Sequence, residues 1–259
     1  MTKLIVGNWK MYPTLSDSMV MAATFKGSLE DIKGVEVVIA PPTSWIVSIA
    51  EEWHHKLPHL KLAAQNVWAE DQGAYTGEVS AYMLKNIIQY AIIGHSERRS
   101  YNKEDNELIS KKAHACLKWG IKPIICVGER KKVLHEDGTL DENEWQKLSD
   151  QLTDALEGIS KEKVADVTIA YEPVWAIGSG NPAKPDYAVA IIERLKEKVV
   201  EKFGREIGFN LRFLYGGSVS ASNVVDYLRY PEIAGLLVGS ASVKAKDFIL
   251  ICKHAAEVA

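Results

Sequence analysis

Cysteine is scarce in this sequence. Its 259 residues hold three, Cys116, Cys126 and Cys252, an odd number, widely spaced and without a Cys-x-x-Cys pair. That excludes a disulfide scaffold and, with no Asn-x-Ser/Thr sequon present, points to a reducing, cytoplasmic setting. Long hydrophobic runs are missing too. No apolar stretch reaches the roughly 18 residues that a membrane span needs, and Leu4 to Val6 is far shorter than a signal core of about 7–15 residues. Charge of one sign is not in surplus: 34 acidic against 31 basic residues leave a net charge of −3, too balanced for a chain that coats nucleic acid or an anionic membrane. Neither a nucleic-acid nor a membrane partner is expected. No low-complexity segment and no Gly-, Pro- or Ser-rich linker divides the chain, so 1–259 reads as one domain. With those classes gone, 47% hydrophobic and 25% charged residues leave an ordinary globular protein.

Eight short β-rich runs recur, at 3–9, 35–40, 60–66, 90–94, 122–128, 167–171, 211–215 and 235–239. Their cores, among them LIV, VVIA, PIIC, VTIAY and LLVG, are almost continuously apolar, as strands covered on both faces should be. Amphipathic stretches run between them. Ser16 is an N-cap type opening a helix over 16–29. The stretches 105–119, 144–157 and 186–203 each stop at a glycine, Gly120, Gly158 and Gly204, of the kind that ends helices in a left-handed turn. Helices are also predicted over 44–52, 221–228 and 245–256. Strands alternating with helices imply parallel pairing through right-handed crossovers. An open doubly wound sheet would use the same elements, but even strand spacing over about 250 residues favours an α/β architecture closed into a (β/α)8 barrel. The longest excursion, 130–143, is expected as an exposed loop with a turn at Asp137-Gly138.

Barrels of this kind place their chemistry just past the C-terminal ends of the strands. Those positions hold Asn8 and Lys10, Gln65 and Asn66, His95, Ser96 and Glu97, Glu129, Glu172, Gly216-Gly217-Ser218 and Gly239-Ser240. A purely structural barrel would carry bulky apolar groups there. Glu172 is either a salt-bridging glutamate or a carboxylate whose apolar flanks make it resist ionisation and accept a proton near neutral pH. His95 is either a satisfied core histidine or, if a helix starts at Ser96, an imidazole kept neutral by the helix N-terminus. Lys10 either snorkels at the surface or points into the mouth to hold a phosphate or a developing oxyanion, with Glu97 as counter-ion. The two glycine turns offer free amides before short helices, and after strands 7 and 8 that pairing is a recurrent phosphate site. Gly178-Ser179-Gly180 is no dinucleotide fingerprint; its small residues between Pro173 and Pro185 read as a hinged lid.

Other motifs lead nowhere. Arg98 replaces the closing glycine of a G-x-S-x-G pattern around Ser96, which argues against a serine hydrolase. His54-His55 lacks a partner at metal spacing and reads as a solvated helix end, and Cys126 as a small buried hydrophobe. Arg130 to Lys132 are too few for a nucleic-acid patch, and the seven tryptophans form no stacking stripe.

GNWKM (7–11), AAQN (63–66), GAYTGEVS (73–80), IIGHSERR (92–99), CVGE (126–129), AYEPVWAIGSG (170–180), YGGSV (215–219) and LVGSAS (237–242) follow one another along almost the whole chain. Through these stretches the sequence resembles the triosephosphate isomerase family. The resemblance implies the TIM-barrel fold and an isomerase of glycolysis and gluconeogenesis. Such an enzyme interconverts dihydroxyacetone phosphate and D-glyceraldehyde 3-phosphate through an enediolate, with no cofactor and no metal. It makes Glu172 the base and His95 the neutral electrophile at the carbonyl oxygens. Lys10 and Asn8 stabilise the oxyanion, with Glu97 pairing Lys10, and Gly178, Ser218, Gly239 and Ser240 bind phosphate. Residues 173–183 become a lid that excludes water from an intermediate prone to lose phosphate, latched by Tyr215 and Ser218. A cytoplasmic homodimer through the loop 65–78 is implied as well, with Thr76 near Asn8 and Lys10 of the partner subunit.

Three departures stand out against that family. Ser240 replaces a usual second glycine, which would be costly in a left-handed backbone. The second lid hinge reads Asn181-Pro182-Ala183 where many members have Lys-Thr-Ala, and Pro182 fixes one dihedral. The stretch from Glu129 to Glu172 is several residues longer than usual, and 130–143 is where the excess is expected. Two other functions use the same residues differently. A retaining glycosidase would pair Glu97 with Glu172, but calls for an aromatic sugar cleft where the sequence offers Lys10 and two glycine turns. A non-catalytic scaffold should have lost one of Asn8, Lys10, His95 or Glu172, and all four are present.

Overall fold

The structure, a computed structural model, describes residues 2–53, 60–178 and 181–259; His54, His55, Ser179 and Gly180 lie outside the described residues. Eight parallel strands close into a barrel in chain order. They are β1 (Lys3–Asn8), β2 (Val35–Ala40), β3 (Leu60–Ala64), β4 (Tyr90–Ile93), β5 (Lys122–Val127), β6 (Thr168–Tyr171), β7 (Arg212–Tyr215) and β8 (Gly235–Val238). The seam is made by β1 and β8, with Leu4 opposite Gly235 and Gly7 opposite Val238. A Cβ on Gly235 would fall 1.9 Å from the Leu4 carbonyl oxygen, so only glycine lets the two strands come that close.

Around the barrel run α1 (Leu15–Leu29), α2 (Ile46–Trp53), α3 (Ala81–Leu84), α4 (Ser96–Tyr101), α5 (Asn106–Lys118), α6 (Glu142–Ala155), α7 (Lys161–Val164), α8 (Pro185–Phe203), α9 (Arg205–Asn210), α10 (Val224–Leu228) and α11 (Ala245–Glu257). Side chains alternate along each strand, which gives two cores. Leu4, Val6, Val38, Ile92, Ile124, Leu214 and Leu237 fill the barrel itself. Ile5, Val37, Ile39, Ile93, Ile125 and Phe213 point outward and pack beneath the helices with Phe25, Ile109, Leu152, Ile192 and Phe248. Burial on both faces is why the strand runs read as unbroken hydrophobic stretches. Each such large apolar side chain removed from water contributes about 1.5–3 kcal/mol.

Every expected strand is present, with ends shifted by one or two residues. Helix ends moved more, for local reasons. Thr14, not Ser16, caps α1: it accepts the Asp17 amide while Asp17 returns a bond to the Thr14 amide, a capping box. Ser16 lies inside the helix. Asp141 caps α6, starting it two residues before the expected position. Pro185 opens α8 at its first turn. The expected helix 44–52 divides into a 3-10 turn, Thr43–Trp45, and α2, while 221–223 form a turn ahead of α10. The short α3, α7 and α9 had no prediction, since four to six residues are too few to show a 3.6-residue stripe. The segment 130–143 is more than an exposed loop. Val133 is buried, Leu134 and Leu140 form an antiparallel bridge, and Gly138 turns the tip at φ +82°.

Candidate active site

At the C-terminal mouth, Asn8 ends β1 and its side-chain oxygen accepts the Lys10 amide at 3.0 Å. This ties Lys10 into a left-handed backbone, φ +50°, an unfavourable conformation for a residue with a Cβ. Gln65, just beyond β3, holds the other side: its amide donates to the carbonyls of Lys10 (2.8 Å) and Ala40 (2.9 Å). The Lys10 ammonium then reaches Glu97 Oε1 at 2.5 Å.

His95 follows β4 and caps α4, with its Nδ1 accepting the Glu97 amide at 3.2 Å. The ring proton therefore sits on Nε2, which lies 3.0 Å from Glu172 Oε1. Burial opposes charge on this ring, while the Glu172 and Glu97 carboxylates favour it and raise its proton affinity in this arrangement. The amide aimed at Nδ1 acts against a second proton, so a Glu172 that turns away leaves a neutral imidazole.

Glu172 is 2% exposed, and the expectation that it resists ionisation is overturned. Burial pushes its pKa up, but His95, the Ser96 amide at 2.9 Å and Lys10 outweigh burial and hold it below the ordinary glutamate value. Cys126 is fully buried inside the barrel; burial, with the Glu172 carboxylate beside it, pushes the thiol far up. The approach of β5 to β6 is fixed at Gly128, where a Cβ would land 1.8 Å from the Glu172 carbonyl oxygen.

The same mouth also takes in glycine and serine positions, with Gly216 close to the Glu172 side chain and Gly239 close to that of Lys10. Gly178, Gly216, Gly217, Ser218, Gly239 and Ser240 face the same cavity, about 480 Å³, as Asn8, Lys10, His95 and Glu172. Gly239 enters a short helix as expected, the 3-10 turn Ser240–Val243, whereas the first turn reaches its short helix, α10, only at Val224. Ser240 has no positive φ, so its Cβ costs nothing special there. The Ser218 hydroxyl donates to the Ala176 carbonyl at 3.2 Å. Tyr215 lies buried below, stacked on Tyr227 at 4.1 Å.

Two clusters had no assigned role in the sequence. Glu129 Oε1 accepts the Tyr171 hydroxyl and the Trp175 indole N–H, both at 2.8 Å, and the Tyr187 hydroxyl at 3.1 Å. Burial pushes its pKa to about 7 against those donors. Glu104, also buried, accepts Arg98 Nε and Lys112 Nζ at 2.6 Å each, and Lys112 donates onward to Asn66 at 2.8 Å. That set ties α4, α5 and the loop after β3 together. Its members are scattered along the chain, so only the position of Asn66 at a strand end hinted at it.

Fold and site together define a (β/α)8-barrel enzyme with a carboxylate, an imidazole and an ammonium converging in a cavity that two glycine turns also line. The family description that matches the chain is triosephosphate isomerase, over residues 3–255. Triosephosphate isomerase of Carboxydothermus hydrogenoformans is 42% identical over 256 residues, covering 96% of this chain and 97% of that protein. Those of Caldanaerobacter subterraneus subsp. tengcongensis (40%, covering 97% and 98%) and Fusobacterium nucleatum (39%, covering 96% and 97%) are similar throughout. The chain belongs to the triosephosphate isomerase family.

Proposed function

We propose that this chain, acting as one domain, interconverts dihydroxyacetone phosphate and D-glyceraldehyde 3-phosphate, an isomerase step of glycolysis and gluconeogenesis. The observation that supports the residue roles is that a single cavity is lined by Glu172, His95 and Lys10 together with the turns Gly216-Gly217-Ser218 and Gly239-Ser240. The phosphate of the substrate sits against Gly178, Ser218, Gly239 and Ser240. Glu172 leaves the Ser96 amide, removes a proton from C1 of dihydroxyacetone phosphate and returns it to C2. His95 donates from Nε2 to the carbonyl oxygens, and Lys10, placed by Asn8 and charge-paired with Glu97, steadies the enediolate. Segment 173–183 closes over the intermediate, with Tyr215 and Ser218 as the latch.

A homodimer through the loop 65–78 is part of this reading. Its support is the exposure of Tyr12 and Tyr101, which line the mouth, of Met11 beside Tyr12, and of Tyr75 within the loop itself, large side chains of the kind that mark an interface. Placement in the cytoplasm rests on three buried free cysteines. Among the described residues no helix is long and apolar enough to cross a membrane.

The test is isomerisation of D-glyceraldehyde 3-phosphate coupled to glycerol-3-phosphate dehydrogenase, with Glu172→Gln alongside. Turnover that falls by about 10²–10⁴-fold in the variant is the expected result. Equal rates in the two proteins would remove Glu172 from the role of base.

A further inference from the structure

The hairpin formed by 130–143 sits against the first hinge of the lid, and its structure suits it to hold that hinge. It is anchored at both ends. The Asp141 amide donates to the Val133 carbonyl at 2.8 Å, the His135 amide to Thr139 at 2.9 Å, and the Asp137 carboxylate accepts the Thr139 amide and hydroxyl at 2.9 and 2.6 Å. Asp141 goes on to cap α6, and Val133 is fully buried. A hairpin built this way is a fixed platform.

One of its residues reaches Trp175, which stands three residues past Glu172, and the next reaches Tyr187 beside it. The exposed Lys132 places its ammonium 5.2 Å from the centre of the Trp175 ring, within cation–π range, and it makes no ion pair among the described residues. The Val133 amide donates to the Tyr187 hydroxyl at 2.9 Å. Tyr187 packs edge-on to the Trp175 ring at 5.5 Å and 88° and shares Glu129 with the indole N–H. Trp175 is thus held at its N–H by Glu129, at its edge by Tyr187 and on its face by Lys132.

We propose that Lys132 is a positioning residue for the isomerase: through the Trp175 face, with Val133 setting Tyr187, the hairpin holds the first hinge of the lid and so sets the balance between its open and closed arrangements. The proposal rests on the reading of 173–183 as a lid. Neither residue touches substrate. Losing the contact should change how readily the lid closes and leave the proton-transfer groups in place.

The test uses the full-length protein with 5-fluorotryptophan, the Trp175 resonance being assigned by its loss in Trp175→Phe. Fluorine spectra are taken with and without 2-phosphoglycolate, a two-carbon phosphate whose carboxylate resembles an enediolate. Lys132→Met keeps the aliphatic stem and removes the charge. Because the contact belongs to the arrangement in which Glu172 still holds the Ser96 amide, its loss should shift the Trp175 resonance in the free protein and tighten 2-phosphoglycolate by about two- to five-fold, the factor corresponding to an exposed cation–π contact. KM should fall by a similar factor, and Lys132→Arg should restore both. A Trp175 resonance and affinity unchanged in Lys132→Met, or changed equally in Lys132→Arg, would overturn the proposal. A wild-type protein that isomerises but whose Trp175 does not respond to 2-phosphoglycolate would overturn the lid reading itself, and the proposal with it; that failure shows in the wild type alone.

Discussion

The two groups of residues that line the mouth are built in different ways. In the group for which we propose proton transfer, each side chain is braced by another group: Lys10 by Asn8, Gln65 and Glu97, His95 by the Glu97 amide, Glu172 by Ser96 and His95. In the group for which we propose phosphate binding, the lining residues are glycines and serines at or beyond the strand ends. Moving a proton requires particular charges at particular points, and long side chains lose entropy when fixed, so they need partners. A peptide N–H is already fixed by its backbone and needs only room for the ligand. Substitutions should therefore be costly in the first group and tolerated in the second wherever backbone conformation is unchanged.

The largest effect that would sharpen this contrast comes from Lys10→Met. Losing one donor to a developing oxyanion costs about 10²–10³-fold in kcat, and steady-state assays should show it with the protein still folded, because Glu97 is 43% exposed and can be solvated alone. A loss below tenfold would place Lys10 outside the reacting set. Next in size is a pH effect on stability from Glu129. Its pKa rises from an ordinary 4.5 to about 7 on folding, so the folded state holds a proton that the unfolded chain has already released. Its contribution is complete below about pH 4.5 and is lost as pH rises to about 7, roughly 3 kcal/mol in all. Urea melts over that range should show the decline in the wild type and a flatter profile in Glu129→Gln. The smallest expected effect belongs to the turns proposed to bind phosphate. Ser240→Gly should change KM less than about twofold, since Ser240 needs no left-handed backbone; a large gain in affinity would mean that its Cβ or hydroxyl obstructs the phosphate.

Much of this architecture could be read from the residues, and the exceptions have a common cause. The strands were legible because burial on both faces writes an unbroken apolar run such as VVIA or PIIC. The mouth was legible because polar groups at those eight addresses contradict a structural barrel. Single-residue caps were harder: Thr14 and Ser16 are both capping types two positions apart, and only Asp17 decides between them. What the sequence could not yield were convergences. Tyr171, Trp175 and Tyr187 meet at Glu129 from a strand, a hinge and a helix, and Glu104 gathers Arg98 and Lys112 from two helices. The sign of the Glu172 shift was missed for the same reason: its apolar neighbours are adjacent in sequence, while the imidazole and amide that reverse the shift come from 76 and 77 positions earlier.

The seam between β1 and β8 has a consequence for how the chain is made. Lys3 donates to the Ile233 carbonyl at 2.7 Å across 230 positions, so β1 waits for β8 to be made. Until β8 arrives the sheet is an open ribbon with two unpaired edges, and such edges recruit other strands. A nascent or truncated chain ending before Gly235 carries the whole of that hazard, and synthesis through β8 removes both edges at once.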